Sequence, residues 1–409
     1  MRSTEICGET DVPAERSQRT SMGSIRVLHC PEVVGGHAQG LASAERKLGL
    51  RSWSVGIYRG DFGYQADEVL WADRSNPLKR EIKRWPLLFR ALMDFDIIHF
   101  NFGQSIAPQW VSPSATAPRT YHPLIRSLYG HYSRLFELCD LPLLKRAGKG
   151  IVVTYQGDDG RQGDFCLASF EISPASEVEP GYYSAESDAH KRKRISKFAQ
   201  YADRIYALNP DLLHMLPAGS QFLPYSHVDP RDWQGADEGD RDPTVPVILH
   251  APSHRGVKGT AYVLEAISRL RREGVALEFL LLEGLPRTEA RPIYGRVDLL
   301  IDQLLCGWYG GLAVELMALG KPVVCYIREE DLKFIPSEMR QDLPIIHASP
   351  ATLHQVLREW LTERRHELRE MGRRSRAYVE KWHDPLKIAA RMRGEYEAIM
   401  ASKQRKVRR

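Results

Sequence analysis

The pattern of apolar runs predicts an α/β protein built from two Rossmann-like domains, and three observations carry that expectation. Short apolar runs of about five to eight residues alternate with longer stretches of helical periodicity, the signature of a parallel sheet covered on both faces. The alternation occurs twice, over residues 24–225 and 246–384, on either side of a stretch rich in Asp, Gly and Pro. The 409 residues leave room for two cores of about 150–200 residues each.

The first 23 residues are polar, mix Arg with Glu and lack the apolar stretch of a secretory signal, so a disordered lead is expected there. Residues 25–30 (IRVLHC) read as the first strand, followed by Gly35-Gly36 and a helix over 37–48. Further strands are expected at 51–58, 95–100, 150–155 and 204–208. Residues 164–187, rich in Ser, Glu, Tyr and Gly with little periodicity, read as a long loop of the kind that forms lids. The linker is placed at 226–245. The second half repeats the logic, with strands at 246–250, 277–282, 297–301 and 322–326 and helices over 260–272 and 312–319. Leu353, Val356, Leu357, Trp360 and Leu361 share one helix face. His383-Asp384 reads as a break before Pro385, and the helix expected over 385–400 is placed back on the first domain, ahead of a basic tail at 401–409.

Composition narrows the class. With 43% hydrophobic and 27% charged residues the chain reads as an ordinary globular protein, neither disordered nor fibrous. No run approaches the roughly eighteen apolar residues of a membrane span. Six scattered cysteines without a Cys-x-x-Cys pair argue for free thiols in a reducing cytosol, and against disulfides or a zinc site. The net charge of +5 is concentrated at 190–197 (HKRKRISK) and 403–409 (KQRKVRR). Such clusters admit peripheral contact with the inner membrane face, against a plainer reading as solvated surface; no nucleic-acid partner is expected.

Four segments carry candidate chemistry. Gly35 and Gly36 precede His37 at a helix start, but with the next glycine at 40 the dinucleotide spacing Gly-x-Gly-x-x-Gly fails, leaving ligand approach or a turn. Ser253-His-Arg255-Gly-Val-Lys258-Gly follows a strand and opens a helix, bringing two cations and free N–H groups to where a phosphate would sit. A Gly-rich turn through Tyr309, Gly310, Gly311 and Leu312 leads into a helix bearing Glu315, a carboxylate suited to two hydroxyls such as those of a ribose. Gln156, Asp158, Asp159 and Arg161 follow a strand, where the carboxylates are suited to sugar hydroxyls, base catalysis, metal binding or loop capping. His99, at the end of its strand, reads as a core histidine more than a catalytic one.

The run GGLAVELMALGKPVV (310–324) resembles the donor-site signature of the retaining family-four glycosyltransferases, which have the GT-B fold. HAPSHRGVKGTAYVLEAI (250–267) resembles their diphosphate-binding turn, and GDDGRQGD (157–164) and Gly35-Gly36 their acceptor-side loops. The resemblance implies two Rossmann-like domains facing each other across a cleft. It implies a transfer of sugar from a nucleotide-diphosphate donor to a hydroxyl acceptor on a glycan, a lipid-linked glycan or a small molecule, without metal or other cofactor. Carried over, Arg255 and Lys258 would hold the diphosphate, Glu315 the ribose, and Glu283 the base. Ser253 and the backbone at Tyr309–Leu312 would lie against the diphosphate and sugar. Gly35, Gly36, His37, Gln156, Asp159 and Arg161 would form the acceptor side, with Asp158 among the catalytic groups. Two positions depart from the family pattern: Gly307 stands where the first Glu of Glu-x7-Glu falls, and Gln156 where a His is common. These departures leave two alternatives, a non-catalytic nucleotide-sugar-binding relative and a sugar-nucleotide epimerase of the same fold.

Overall fold

A computed structural model describes residues 24–32, 34–58, 63–71, 77–109, 123–234 and 245–407. The expected lead at 1–23 and the linker's 235–244 lie outside the described residues. Among the described residues, twelve strands form two sheets, and every strand pairing is parallel. The first sheet holds β1 (Arg26–Cys30), β2 (Arg51–Tyr58), β3 (Glu68–Trp71), β4 (Ile97–Asn101), β5 (Gly150–Tyr155), β6 (Arg204–Ala207) and β7 (Gln221–Phe222), in the order β3-β2-β1-β4-β5-β6-β7. The second holds β8 (Val247–His250), β9 (Glu278–Leu281), β10 (Leu299–Ile301), β11 (Val323–Cys325) and β12 (Ile345–His347), in the order β12-β11-β10-β8-β9.

The burial pattern explains why these runs are strands. In β1 and β5 every residue but Arg26 is buried, and successive side chains enter opposite cores: Val27 and Val152 one, Leu28, Ile151 and Val153 the other. Both faces are therefore covered, as a continuous apolar run requires. In each sheet the order turns around its first strand, β1 or β8, so that a crevice opens at the carboxyl ends of those strands.

Three features differ from the sequence reading. The edge strands β3, β7 and β12 were not expected; they are only two to four residues long and too short to show a period. Residues 164–187 are not a plain loop: they include most of a helix (Gly163–Ser169), a 3-10 turn (Pro174–Ser176) and the start of the helix Ala185–Tyr201. The final helix runs from Pro385 to Val407, past the expected end at 400.

That final helix seats Ile388, Met392, Tyr396 and Ile399 in a core shared with the first sheet. The Tyr396 hydroxyl donates to Glu45 Oε1 at 3.0 Å and meets His99 Nδ1 at 2.8 Å, while His99 Nε2 meets Thr154 Oγ1 at 2.7 Å. His99 is thus a satisfied core histidine, and burial depresses its pKa well below the usual value. No described helix is long and apolar enough to cross a membrane.

Candidate functional site

A cleft of about 310 Å³ opens where the carboxyl ends of the two sheets meet. Of the residues singled out in the sequence, ten line it: Gly35, Gln156, Asp158, Arg161, Ser253, Lys258, Gly310, Gly311, Leu312 and Glu315. They arrive from both halves of the chain, so the cleft exists only because the two sheets face each other.

The floor on the second sheet's side is built from β8 and β10. After β8 the chain passes through Ala251, Pro252 and Ser253 into the one-turn helix Arg255–Lys258. After β10, Asp302 accepts the Gly310 N–H at 2.6 Å and so aims the start of the helix Gly311–Ala318 at the cleft. No side chain caps that start, which leaves backbone N–H groups for a ligand. Lys258 Nζ donates to Gln303 Oε1 at 2.5 Å and lies 3.9 Å from Asp302 Oδ1.

Glu315 lies one turn into the same helix and is buried. Its Oε1 accepts from the Tyr64 hydroxyl at 2.9 Å and from Arg287 Nε at 2.8 Å. Burial raises the Glu315 pKa, an effect that Arg287 opposes without cancelling. The Arg287 guanidinium stacks over Tyr64 and Trp233, 4.8 and 5.1 Å from their ring centres. His227 Nε2 lies 3.2 Å from the Gly311 carbonyl, and burial pushes the ring's pKa down to about 3. Tyr64, Arg287, His227 and Asp302 were not picked out from the sequence. They come from separate segments, and no short motif joins them.

The lining carries Lys258, Arg161 and Arg287 against Asp158, Asp302 and Glu315. The pairings are unequal. Arg161 bonds Asp158 at 2.8 Å and Asp211 at 2.9 Å, and Arg287 holds Glu315 at 2.8 Å. Lys258 has only the 3.9 Å approach to Asp302, whose other oxygen is taken by Gly310. Lys258 is therefore the most loosely paired of these three cations.

On the first sheet's side the carboxylates are structural anchors. Asp158 accepts from Arg161, from the Tyr182 hydroxyl at 2.6 Å and from the Tyr183 hydroxyl at 2.5 Å. Burial pushes its pKa up, but Arg161 and the two hydroxyls prevail and hold it below the usual range. Asp159 is buried and accepts the N–H of Gln156 at 3.0 Å and of Gly157 at 2.6 Å, closing the turn after β5. Burial raises its pKa to about 6. Of the roles open to this pair in the sequence, loop capping is the one Asp159 performs. Gly35 and Gly36 both have positive φ (63° and 73°), and a Cβ on Gly36 would run into the Tyr64 ring.

Six expected site residues lie outside the cleft lining. Arg255 is exposed and forks onto Glu283, with contacts of 2.8 and 2.5 Å, so each of these two occupies the other. The Tyr309 hydroxyl is buried between Tyr378 (2.9 Å) and His383 Nε2 (2.8 Å), fixing the chain before Gly310. His37 is buried against Ser226 Oγ at 3.0 Å, and its pKa falls to about 3. Gly36 and Asp159 sit beneath the surface of the cleft. At Gly307 (φ 79°) a Cβ would meet the Arg328 guanidinium at 2.6 Å, so arginine fills the space beside the position of the family's first Glu.

A strap joins the halves. The Ile172 carbonyl accepts from Arg328 Nη2 at 2.7 Å, whose guanidinium covers the Phe170 ring at 3.7 Å. Glu177 accepts from the Tyr262 hydroxyl at 2.9 Å, and Tyr182 packs on His254 at 4.7 Å.

Two parallel sheets with a shared cleft at their carboxyl ends define the GT-B fold, and solved structures agree. Sucrose-phosphate synthase from Thermosynechococcus elongatus is similar over 93% of this chain and 100% of its own, with 14% identity and a TM-score of 0.57. HepE of Anabaena, solved in complex with UDP-glucose, matches over 91% of this chain and 100% of its own at 10% identity and a TM-score of 0.55. The catalytic domain of starch synthase IV from Arabidopsis thaliana, bound to ADP and acarbose, matches over 93% and 100% at 11% identity and a TM-score of 0.53. No protein-family model matches the chain, and no curated protein matches it.

Proposed function

We propose that this chain transfers a sugar from a nucleotide-diphosphate donor to a hydroxyl acceptor, with retention of anomeric configuration. One observation carries the reading. The loosely paired Lys258 and the uncapped start of the helix Gly311–Ala318 meet at the cleft floor, with the buried Glu315 one turn beyond. A cation beside a helix start suits a diphosphate, and a carboxylate at the next turn suits a ribose. That structures of the same fold hold UDP-glucose or ADP supports the assignment.

In the reaction the acceptor oxygen forms its bond to the anomeric carbon as the bond to the diphosphate oxygen breaks. The acceptor's proton leaves with the diphosphate. Lys258 and the helix N–H groups stabilise the charge gathering on the leaving oxygen. Asp158 takes no proton here, because three donors already hold its ionised form; it holds Arg161, Tyr182 and Tyr183 in place. The strap at 170–182 keeps the two halves together and water out of the cleft.

A thermal-shift panel of UDP-, ADP- and GDP-sugars tests this. A bound donor at 100 times its dissociation constant stabilises the fold by about 2.7 kcal/mol. Release of nucleoside diphosphate with an acceptor present supports transfer. Binding without release identifies a non-catalytic relative, and conversion of the donor without acceptor an epimerase. Silence across the panel overturns the reading.

A further inference from the structure

We propose that Gln303 is a positioning residue: it holds Lys258 at the cleft floor without cancelling its charge, and so keeps the ammonium for the donor's diphosphate. This role rests on the transfer reading and adds to it the side chain that sets the phosphate cation. Both residues line the cleft, and Lys258 Nζ donates to Gln303 Oε1 at 2.5 Å. The holder is an amide, which offers an acceptor oxygen with no negative charge. A carboxylate in its place would pair the ammonium and spend its charge within the fold, as Glu283 does to Arg255.

The amide has one orientation. Gln303 Nε2 donates to the Trp308 carbonyl, which leaves Oε1 for Lys258. Reversed, the amide would set its NH2 against the ammonium and its oxygen against a carbonyl, two repulsive contacts in place of two hydrogen bonds. The backbone is pinned as well. The Gln303 carbonyl accepts the Tyr326 N–H at 3.1 Å, and the Asp302 N–H donates to the Val324 carbonyl at 2.9 Å, so the pair is tied to the end of β11. Gln303 is 5% exposed, which leaves its side chain little room to turn away.

Adjacent residues thus set the two groups that face an anion. Gln303 sets the ammonium, and Asp302, by accepting the Gly310 N–H at 2.6 Å, sets the start of the helix Gly311–Ala318. Asp302 is also the competitor for Lys258, with Oδ1 3.9 Å from the ammonium. Without the amide, the ammonium is free to close that gap and pair with the carboxylate. Gln303 prevents this by supplying a nearer partner that takes none of the charge.

Isothermal titration of the full chain with UDP, ADP and GDP, and with the matching monophosphates, tests the proposal. The proteins are the wild type, Gln303→Met, Lys258→Ala and the double variant. Methionine keeps the length and volume of the side chain but loses the amide. Gln303→Met is expected to weaken diphosphate binding about tenfold, and monophosphate binding less. In the Lys258→Ala background it should change nothing further, because its effect passes through the ammonium. A residue that only braced the loop would cost the same factor in both backgrounds, and for mono- and diphosphates alike. That result, or wild-type affinity in Gln303→Met, overturns the proposal and leaves the transfer reading standing. If the melting curve shows that Gln303→Met does not fold, Gln303→Glu decides. It keeps the shape and still holds Lys258 but cancels its charge, so diphosphate binding should fall by at least about tenfold. Affinity equal to or above that of the wild type overturns the proposal. A wild-type chain that binds none of the three diphosphates removes the transfer reading and this role together.

Discussion

The two cations of the phosphate turn are expected to behave differently, and a pair of alanine variants decides it. Lys258 lines the cleft, is 17% exposed, and has no carboxylate within 3.5 Å; its nearest is Asp302 at 3.9 Å. At an effective dielectric of about 20, a phosphate charge at about 4 Å interacts with an ammonium by about 4 kcal/mol. Desolvation and lost side-chain freedom reduce that to a net of about 1.5–3 kcal/mol for a hydrogen bond to a charged group. Lys258→Ala should therefore weaken nucleoside-diphosphate binding by about 10- to 150-fold. Turnover should fall further, by about 10²–10³, because the leaving oxygen gains charge in the transition state. Arg255 is 59% exposed and already forked onto Glu283, so Arg255→Ala should change binding less than about threefold, as for other exposed pairs. Isothermal titration with UDP, ADP and GDP reads the affinities, and release of diphosphate reads turnover. Equal losses in the two variants, or unchanged binding in Lys258→Ala, would refute the reasoning.

Other perturbations have equally definite signs. Arg287→Ala leaves the buried Glu315 with the Tyr64 hydroxyl as its one hydrogen-bond donor, His227 lying 3.9 Å away, and should cost up to about 3 kcal/mol by urea unfolding; Arg287→Met with Glu315→Leu should recover most of it, and no recovery would argue against the pair as the cause. Acid should weaken the fold through His37, His227 and His383, which burial holds at about 3, 3 and 4. Each is depressed relative to an unfolded value near 6.5, so its contribution is complete above about pH 6.5 and is lost as pH falls, by about 2 kcal/mol each at pH 5. Asp159, raised to about 6, has the opposite sign: burying its ionised form costs most above pH 6, and acid relieves about 1 kcal/mol of that by pH 5. The urea midpoint should thus fall between pH 7 and pH 5, and a rise would contradict the histidine assignment. Gly40→Ala would drive a Cβ into the Ser226 carbonyl oxygen and to 2.8 Å from His227 Cα, and should lower the melting temperature, with a cost of about 1–3 kcal/mol; an unshifted melting curve would mean that the helix His37–Lys47 can slide.

Much of the fold was legible because buried parallel strands announce themselves. β1, β4, β5 and β8 are mostly apolar runs bounded by turns, and both faces of each strand must be buried, so their sequences admit little else. The edges were not legible. β3 and β12 are only partly buried and short, and β7 has two residues, so none carries a period that can be read. The strap was misread for a related reason: Glu177 and Tyr182 gain their partners from the other half of the chain, and no local pattern records that.

The site divides along the same line. Lys258, Gly310, Gly311 and Glu315 were legible because each sits at a strand-to-helix junction, where local sequence and chemistry coincide. Arg255 shares that junction, but its destination is set by Glu283, 28 residues away, and proximity in sequence gave no sign of it. Tyr64 and Arg287 lie 251 and 28 residues from Glu315. Together they cap the one carboxylate that the proposed ribose would need. A nucleotide must then either share Glu315 with Arg287 or displace it, and the stacking of Arg287 on Tyr64 and Trp233 offers the guanidinium a place to stay if it lets go. This makes Arg287→Ala informative in binding as well as in stability. If displacement is required, the variant should bind the nucleoside diphosphate more tightly than the wild type even while it unfolds more easily. If Arg287 instead shares the ribose or the phosphates, affinity and stability should fall together. Titration with UDP at a temperature where both proteins remain folded separates the two outcomes.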